Sequence, residues 1–363
     1  MSLFGNIISS VKAGSQSSNG VVGIDIGSSS IKVIELHEQK GVITLATYGE
    51  IQLGPYVGKS NGESVSLEAK QEQVALVDVI RESAVKARQG VFAMPLSSSF
   101  VTNVSIQADP DADLAALVRI EARKVIPASL SEVTLDWAEV EITKKESKTT
   151  EANQRNVLIA SIQNVALERF KVLMQFVGLT KPPTEIECFS TIRGLYDSDE
   201  DDIAIVDIGA VSSKLYIARK GLLMRMYRIR AGGVIATQKI AEALGTDFET
   251  AEETKCSINK QASNFSEVKR AHDQSYERAF REFSQVIREY ENKTGITIST
   301  VYLSGGGALF PGIDSQLKSV LDREVLPANP FSKVAYPAFM EDTMKEIGPS
   351  FAVALGAALR AFE

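Results

Sequence analysis

The sequence predicts an α/β protein of two related lobes, with a small α+β module set into the first. Three observations predict it. A strand–turn–strand unit occurs twice, as Val22-Gly23-Ile24-Asp25-Ile26-Gly27-Ser28-Ser29-Ser30-Ile31-Lys32 and as Ile205-Val206-Asp207-Ile208-Gly209-Ala210-Val211-Ser212-Ser213-Lys214. A third glycine turn, Ser304-Gly305-Gly306-Gly307, follows late in the chain. Between the two hairpins, a strand, helix, strand, strand pattern of different character interrupts the first half.

The first hairpin reads as strands Val22–Ile26 and Ile31–Leu36, and a third strand, Val42–Glu50, follows the Lys40-Gly41 turn. Pro55, Gly58, Ser60, Asn61 and Gly62 mark a loop. The spacing of Val74, Val77, Val79, Ile80 and Val85 predicts a helix over Lys70–Arg88. Val91–Met94 reads as a buried strand. The module opens with strand Phe100–Gln107. A helix with Leu114, Leu117, Ile120 and Val125 inward follows, with acids in its first turn and Pro127 as its stop. Leu135–Ile142 and Asn156–Ser161 are two further strands, joined by a polar hairpin loop over Thr143–Arg155. A helix over Ala166–Val177, a strand Glu185–Glu187 and a helix near Ser190–Leu195 return to the first lobe.

The acidic run Asp197–Asp202 reads as a solvated loop. Beyond the second hairpin come strand Leu222–Tyr227, the Ala231-Gly232-Gly233 turn, and helices Ala236–Leu244 and Phe248–Ser257. A long helix over Asp273–Lys293 carries Tyr276, Phe280, Phe283, Ile287 and Tyr290 at helical spacing, a core stripe. Strand Val301–Leu303 opens into the triple glycine. Helices Ile313–Leu321 and Pro349–Phe362 complete the chain. The implied divisions are a flexible segment 1–20, a first lobe of 21–95 and 166–202, a module of 96–165, a second lobe of 203–340, and a helix within 341–363 that returns to the first lobe.

Composition narrows the function classes. A net charge of −7 gives no electrostatic basis for general nucleic-acid binding. Only Cys188 and Cys256 are present, far apart, so a disulfide framework or a cysteine metal site is not expected and a reducing cytoplasm fits. With His37 and His272 the only histidines, a histidine metal cluster or a Ser-His-Asp triad is not expected. There is no run of about twenty apolar residues to span a bilayer. Met1–Lys12 lacks the basic leader and long apolar core of a secretory signal. Leu3, Phe4, Ile7, Ile8 and Val11 fall on one face of a short helix, followed by the linker Gly14–Gly20. That segment reads as a weak membrane-surface or partner anchor, or as a piece that packs on the body.

The hairpins point to phosphate. A phosphate chain needs many N–H donors at close range, and Gly27 and Gly209 permit backbone approach. Ser28, Ser29, Ser30, Ser212 and Ser213 add small hydroxyl donors. Lys32 can reach a β- or γ-phosphate as a point charge. Asp25 and Asp207 would repel bare phosphate, but suit Mg²⁺ held largely through waters. One such hairpin alone is an ordinary β-turn; two, with a glycine third wall, describe a nucleotide cleft.

These motifs resemble the actin-like ATPase superfamily, a duplicated ribonuclease-H-like fold. Leu303–Gly312, Pro327-Ala328-Asn329-Pro330-Phe331 and Pro349–Leu359, with the first hairpin, are similar to the branch of FtsA and the type IV pilus family PilM. The resemblance covers the chain from about Val21 to its end. It implies bound ATP and Mg²⁺, with Asp25 and Asp207 flanking the metal. Gly27, Ser28, Ser29, Ser30, Lys32, Gly209, Ala210, Val211 and Ser212 would grip phosphates. Glu252 and Lys255 would flank the nucleoside, and Gly305, Gly306 and Gly307 would floor it. It also implies a partner: the cytoplasmic N-terminal peptide of a PilN-like inner-membrane protein, held beside the module, with pilus motor ATPases as further partners. Membrane contact would come mainly through that partner, at the inner face of the cytoplasmic membrane. Val211 stands where related ATPases carry glycine or Thr, which puts ATP turnover in doubt more than binding, and no residue is singled out as the activator of water. The alternatives are a small-molecule kinase of the same superfamily, for which no acceptor loop stands out, and an FtsA-like division anchor, against which the absence of a basic C-terminal tail counts.

Overall fold

A computed structural model describes residues 20–109, 111–140, 154–180, 184–197 and 202–363. The segment around Leu3–Val11, the linker up to Asn19, loop residues 143–153 and the acidic residues 198–201 lie outside the described residues.

Two five-stranded sheets repeat one topology. In the first lobe β1 (Val21–Ile26), β2 (Ser30–Gln39), β3 (Val42–Gln52), β4 (Gln89–Met94) and β8 (Glu185–Ile186) lie in the order β3-β2-β1-β4-β8. In the second, β9 (Asp202–Ile208), β10 (Ser213–Arg219), β11 (Leu222–Ile229), β12 (Thr300–Ser304) and β13 (Glu324–Pro327) lie in the order β11-β10-β9-β12-β13. In each sheet the first three strands form an antiparallel meander and the last two run parallel beside it. The central strands are apolar on both faces, as strands covered by helices on either side must be.

The module carries the third sheet. β5 (Ser99–Gln107), β6 (Val133–Glu139) and β7 (Gln154–Gln163) are ordered β5-β7-β6. Along β7, Val157 and Ile159 pack under α2 (Leu114–Val125), while Leu158, Ala160 and Ile162 join the core of the main body. Period-two alternation therefore buries both faces of this small sheet.

The remaining helices are α1 (Ala69–Glu82), α3 (Asn164–Phe176), α4 (Glu187–Leu195), α5 (Gly233–Leu244), α6 (Phe248–Ser257), α7 (Phe265–Thr294), α8 (Ile313–Leu321) and α9 (Glu341–Leu359). α9 lies on β1 and α4 at backbone contact. A Cβ added to Gly356 would stand 1.8 Å from the Ser190 carbonyl oxygen, so only hydrogen fits at that crossing. Among the described residues no helix is long and apolar enough to cross a membrane.

Several expectations needed correction. The Lys70–Arg88 helix ends at Glu82, because Ala84 turns left-handed (φ 52°) and sends the chain into β4. Val74 and Ile120 face solvent, at 51% exposure each; Ala75, Val118 and Ala122 take the inward positions. The last helix begins eight residues early, with Pro349 inside it. β13 has too little apolar pattern to be read from sequence. Asp202, expected in a solvated loop, is buried within β9, where Arg219 and the Tyr290 hydroxyl bind its carboxylate. The aromatic stripe of α7 is core, as its spacing requires.

Candidate functional site

The two hairpins are built alike. The Gly27 N–H donates to the Ser30 carbonyl at 2.9 Å, and the Gly209 N–H to the Ser212 carbonyl at 3.0 Å. Asp25 pairs in register with Lys32, and Asp207 with Lys214. Neither turn glycine has a positive φ. Their value is space, since an added Cβ would meet Ser30 O at 3.1 Å or Ser212 O at 3.3 Å. The second turn is braced from below: Gly233 and Val234, at the start of α5, donate N–H groups to the carbonyls of Gly209 (3.0 Å) and Ala210 (2.9 Å).

The triple glycine forms the facing wall. Gly305 has φ 86° and ψ 166°, a region that side chains exclude, and an added Cβ would lie 2.4 Å from the Ile208 carbonyl oxygen. Its N–H donates to the Pro349 carbonyl at 2.7 Å, which also accepts from the Ser304 hydroxyl at 3.1 Å. α9 therefore holds the glycine turn in place. At the other side of the cleft, Glu252 is held by Lys255, one turn further along α6 (2.6 Å), and by the Thr237 hydroxyl across the α5–α6 interface. Gly62 of the first lobe abuts the Glu252 side chain, so the cleft mouth is narrow.

Of the residues singled out from sequence, Asp25, Gly27, Ser28, Ser29, Ser30, Lys32, Asp207, Gly209, Ala210, Val211, Ser212, Glu252, Lys255, Gly305, Gly306 and Gly307 line one cavity of about 640 Å³; Ser213, expected to offer a hydroxyl to phosphate, is instead buried and donates to the Ala231 carbonyl at 2.5 Å. That is the size of a small-molecule site. Further lining residues were missed by the sequence reading, Lys214, Glu187, Arg228, His272 and Pro349 among them. Lys214 had a signal, since it stands seven residues after Asp207 as Lys32 does after Asp25. Glu187, Arg228, His272 and Pro349 had none, because only folding brings them to the cleft. Arg228 donates to the Ser212 hydroxyl at 3.1 Å, and His272 stacks on Phe310 with ring centroids 3.6 Å apart.

The floor is electrostatically dense. Asp25 opens to the cavity on one side and is enclosed by protein on the others; burial raises its pKa to about 6, and the nearby carboxylates of Glu187 and Asp207 add to the effect against Lys32 and Lys214. The Lys214 ammonium lies 2.9 Å from Glu187 and 3.1 Å from Asp207. Burial works against its charge, yet the two carboxylates outweigh burial and hold its pKa above the ordinary lysine range. Glu187 has a second contact: it accepts the Leu96 N–H, at the root of the module, at 2.8 Å. Lys32 pairs with Glu50 at 3.0 Å.

Among the described residues no group of three or more His, Cys, Asp or Glu could hold a metal unaided. The all-oxygen pair Asp25 and Asp207 does fit Mg²⁺ bound through waters and phosphate, the usual manner of this ion. A cation there would offset both the burial and the lesser carboxylate repulsion that raise the Asp25 pKa.

Comparison with known proteins gives the same frame. The family model described as type IV pilus assembly protein PilM matches residues 23–362. A solved PilM-PilN type IV pilus biogenesis complex is 23% identical, with a TM-score of 0.78 over 96% of this chain and 100% of that one. The ethanolamine utilization protein EutJ from Carboxydothermus hydrogenoformans is 16% identical, with a TM-score of 0.54 over 95% and 90% of the two chains. MreB 5 of Spiroplasma citri, solved with AMPPNP, is 12% identical, with a TM-score of 0.53 over 96% and 97%. The fold is that of the actin-like ATPases with an inserted α+β module, and the chain belongs to the family of the type IV pilus assembly protein PilM.

Proposed function

We propose that this pilus-assembly protein is an ATP–Mg²⁺-binding scaffold whose nucleotide sets the posture of the module spanning 96–165. Beside that module it would take the cytoplasmic N-terminal peptide of a PilN-like membrane protein. The observation that carries this reading is the double tether of the module. Glu187 joins the module's root at Leu96 to Lys214 on the second hairpin. Asn103 on β5 donates its amide to the Leu223 (3.1 Å) and Met224 (2.7 Å) carbonyls of β11, in the second lobe. Any rotation of one lobe against the other thus strains the module.

The nucleotide half of the proposal is supported by the sixteen sequence-named residues that share one cavity and by the AMPPNP bound to the similar MreB 5. The partner half is supported by the PilM-PilN complex, which this chain matches over 96% of its length. In this role Asp25 and Asp207 would hold the metal. The serine-rich turns, Lys32 and the second-hairpin backbone would hold phosphates, with Glu252 and Lys255 beside the nucleoside. When bound, Mg²⁺ would neutralise phosphate charge. The protein would sit at the inner face of the cytoplasmic membrane through its partner, with motor ATPases as further contacts.

The test is calorimetric titration of the PilN-like peptide into the chain with and without ATP–Mg²⁺, beside Asp25→Ala. Nucleotide should change peptide affinity by about 5- to 150-fold in the unaltered chain, a typical coupling, and not in the variant. A variant that has lost nucleotide yet still shows the full nucleotide-bound peptide affinity would sink nucleotide control.

A further inference from the structure

One apolar surface takes no part in the cleft. On α3, Val165, Val172 and Phe176 are exposed at 83%, 51% and 55%. Spaced by seven and four residues, they fall in one line along the helix, opposite the buried Phe170, Leu173 and Met174. Ion pairs flank the line on both sides: Glu168 with Lys171, and Arg169 with Glu72. An apolar ridge with charged margins is the form of a docking surface.

The ridge is too small for a stable contact between separate molecules. A standard interface takes about 800 Å² from each partner, far more than three side chains provide. A tethered segment of the same chain needs much less, because its effective concentration reaches the mM range. The chain has such a segment in reach. Val21 pairs with Gln89, and Gln89 bridges Thr180, just beyond the C-terminal end of α3. Gly20 therefore stands roughly two strand spacings, ~10 Å, from Thr180, four residues beyond Phe176. From Lys12 to Gly20 the chain can stretch about 28 Å. As a helix the nine residues Leu3–Val11 would span about 12 Å, against about 16 Å for the line Val165–Phe176.

We infer that residues 3–11 dock on α3, with Leu3, Phe4, Ile7, Ile8 and Val11 against Val165, Val172 and Phe176. This goes beyond the nucleotide and partner reading and does not depend on it. The segment then covers the ridge in the free chain and is withdrawn only by something that binds it better.

Trypsin reads the docking at Lys12, which borders the segment. In the full chain, Val172→Asp with Phe176→Asp should speed cleavage after Lys12 about tenfold, because docking no longer limits access. The melting temperature should hold to within about 2 °C, since neither side chain packs into the core. A cysteine pair, Ile7→Cys with Val172→Cys in a Cys256→Ser background, should form a disulfide within one chain. Equal cleavage rates in the two chains overturn the inference. So does a disulfide that joins two chains, which would assign the ridge to a second copy. Protection of Lys12 that arises only on adding phosphatidylglycerol vesicles also overturns it, and would assign the segment to a membrane surface.

Discussion

Replacing Lys214 by Met keeps most of the apolar stem and removes the one charge that joins the floor of the cleft. Its side chain is 12% exposed, and those of its partners Glu187 and Asp207 are 12% and 7% exposed. Removal leaves two carboxylates facing each other and Asp25, with no cation between the second hairpin and the first lobe. Breaking a buried pair of this kind costs about 3–5 kcal/mol. Unfolding entropy near 2.1 cal/mol/K per residue, over the 363 residues, makes 4 kcal/mol a fall of about 5 °C in Tm. Glu187→Gln keeps the shape and the acceptor for the Leu96 N–H while losing the charge. The double variant should therefore be less destabilised than the sum of the singles by at least about 1 kcal/mol, because Lys214→Met harms chiefly by stranding Glu187. Thermal and urea melts of the four chains measure this cycle. Added Mg²⁺ should raise the Tm of Lys214→Met more than that of the unaltered chain, since it enters a floor richer in unpaired carboxylate. Additivity within about 0.3 kcal/mol would refute the bridge, as independent sites behave that way.

Two other perturbations separate backbone from charge effects. Gly305→Ala puts a Cβ against the Ile208 carbonyl at a φ that side chains avoid; it should cost about 3 kcal/mol and weaken ATP binding more than tenfold, while Gly306→Ala, with open space around its Cβ, should leave stability unchanged. Melts and nucleotide titrations of the pair check this. His272 has its pKa lowered from 6.5 by burial, so its neutral form is the folded form. Its contribution is complete above pH 6.5 and is lost as pH falls through the lower folded pKa. Tm measured from pH 7.5 to 5.5 should decline more steeply in the unaltered chain than in His272→Gln; parallel curves would remove His272 as the cause.

Much of the cleft was legible because its signals are local. An Asp-Ile-Gly turn with serines carries its chemistry within eight residues, and the second copy removed the ambiguity of the first. Element type followed where periodicity was strong, as in β9 and α7, although α7 begins at Phe265, eight residues before the predicted Asp273. They failed where tertiary contact overrode pattern. Pro349 ends a helix in most contexts, yet here it sits inside α9, where its carbonyl fastens Gly305. Asp202 read as part of a charged loop because its partners, Arg219 and Tyr290, lie on other elements.

The sequence by itself determined the paired hairpins, the glycine wall, the helical and strand periods, and the presence of an inserted module. These depend on neighbours in the chain, on backbone freedom at glycine and on alternation of apolar residues. Only the tertiary structure decided which charges share the floor. Glu187, Lys214, Asp207 and Asp25 come from two lobes, and the low-dielectric cleft makes their order matter: Lys214 bridges the lobes, Asp25 is left facing the cavity, and Glu187 ties the bridge to the module. Coulomb attraction between residues far apart in sequence exists only after the core has brought them within 3 Å, and no local pattern records it.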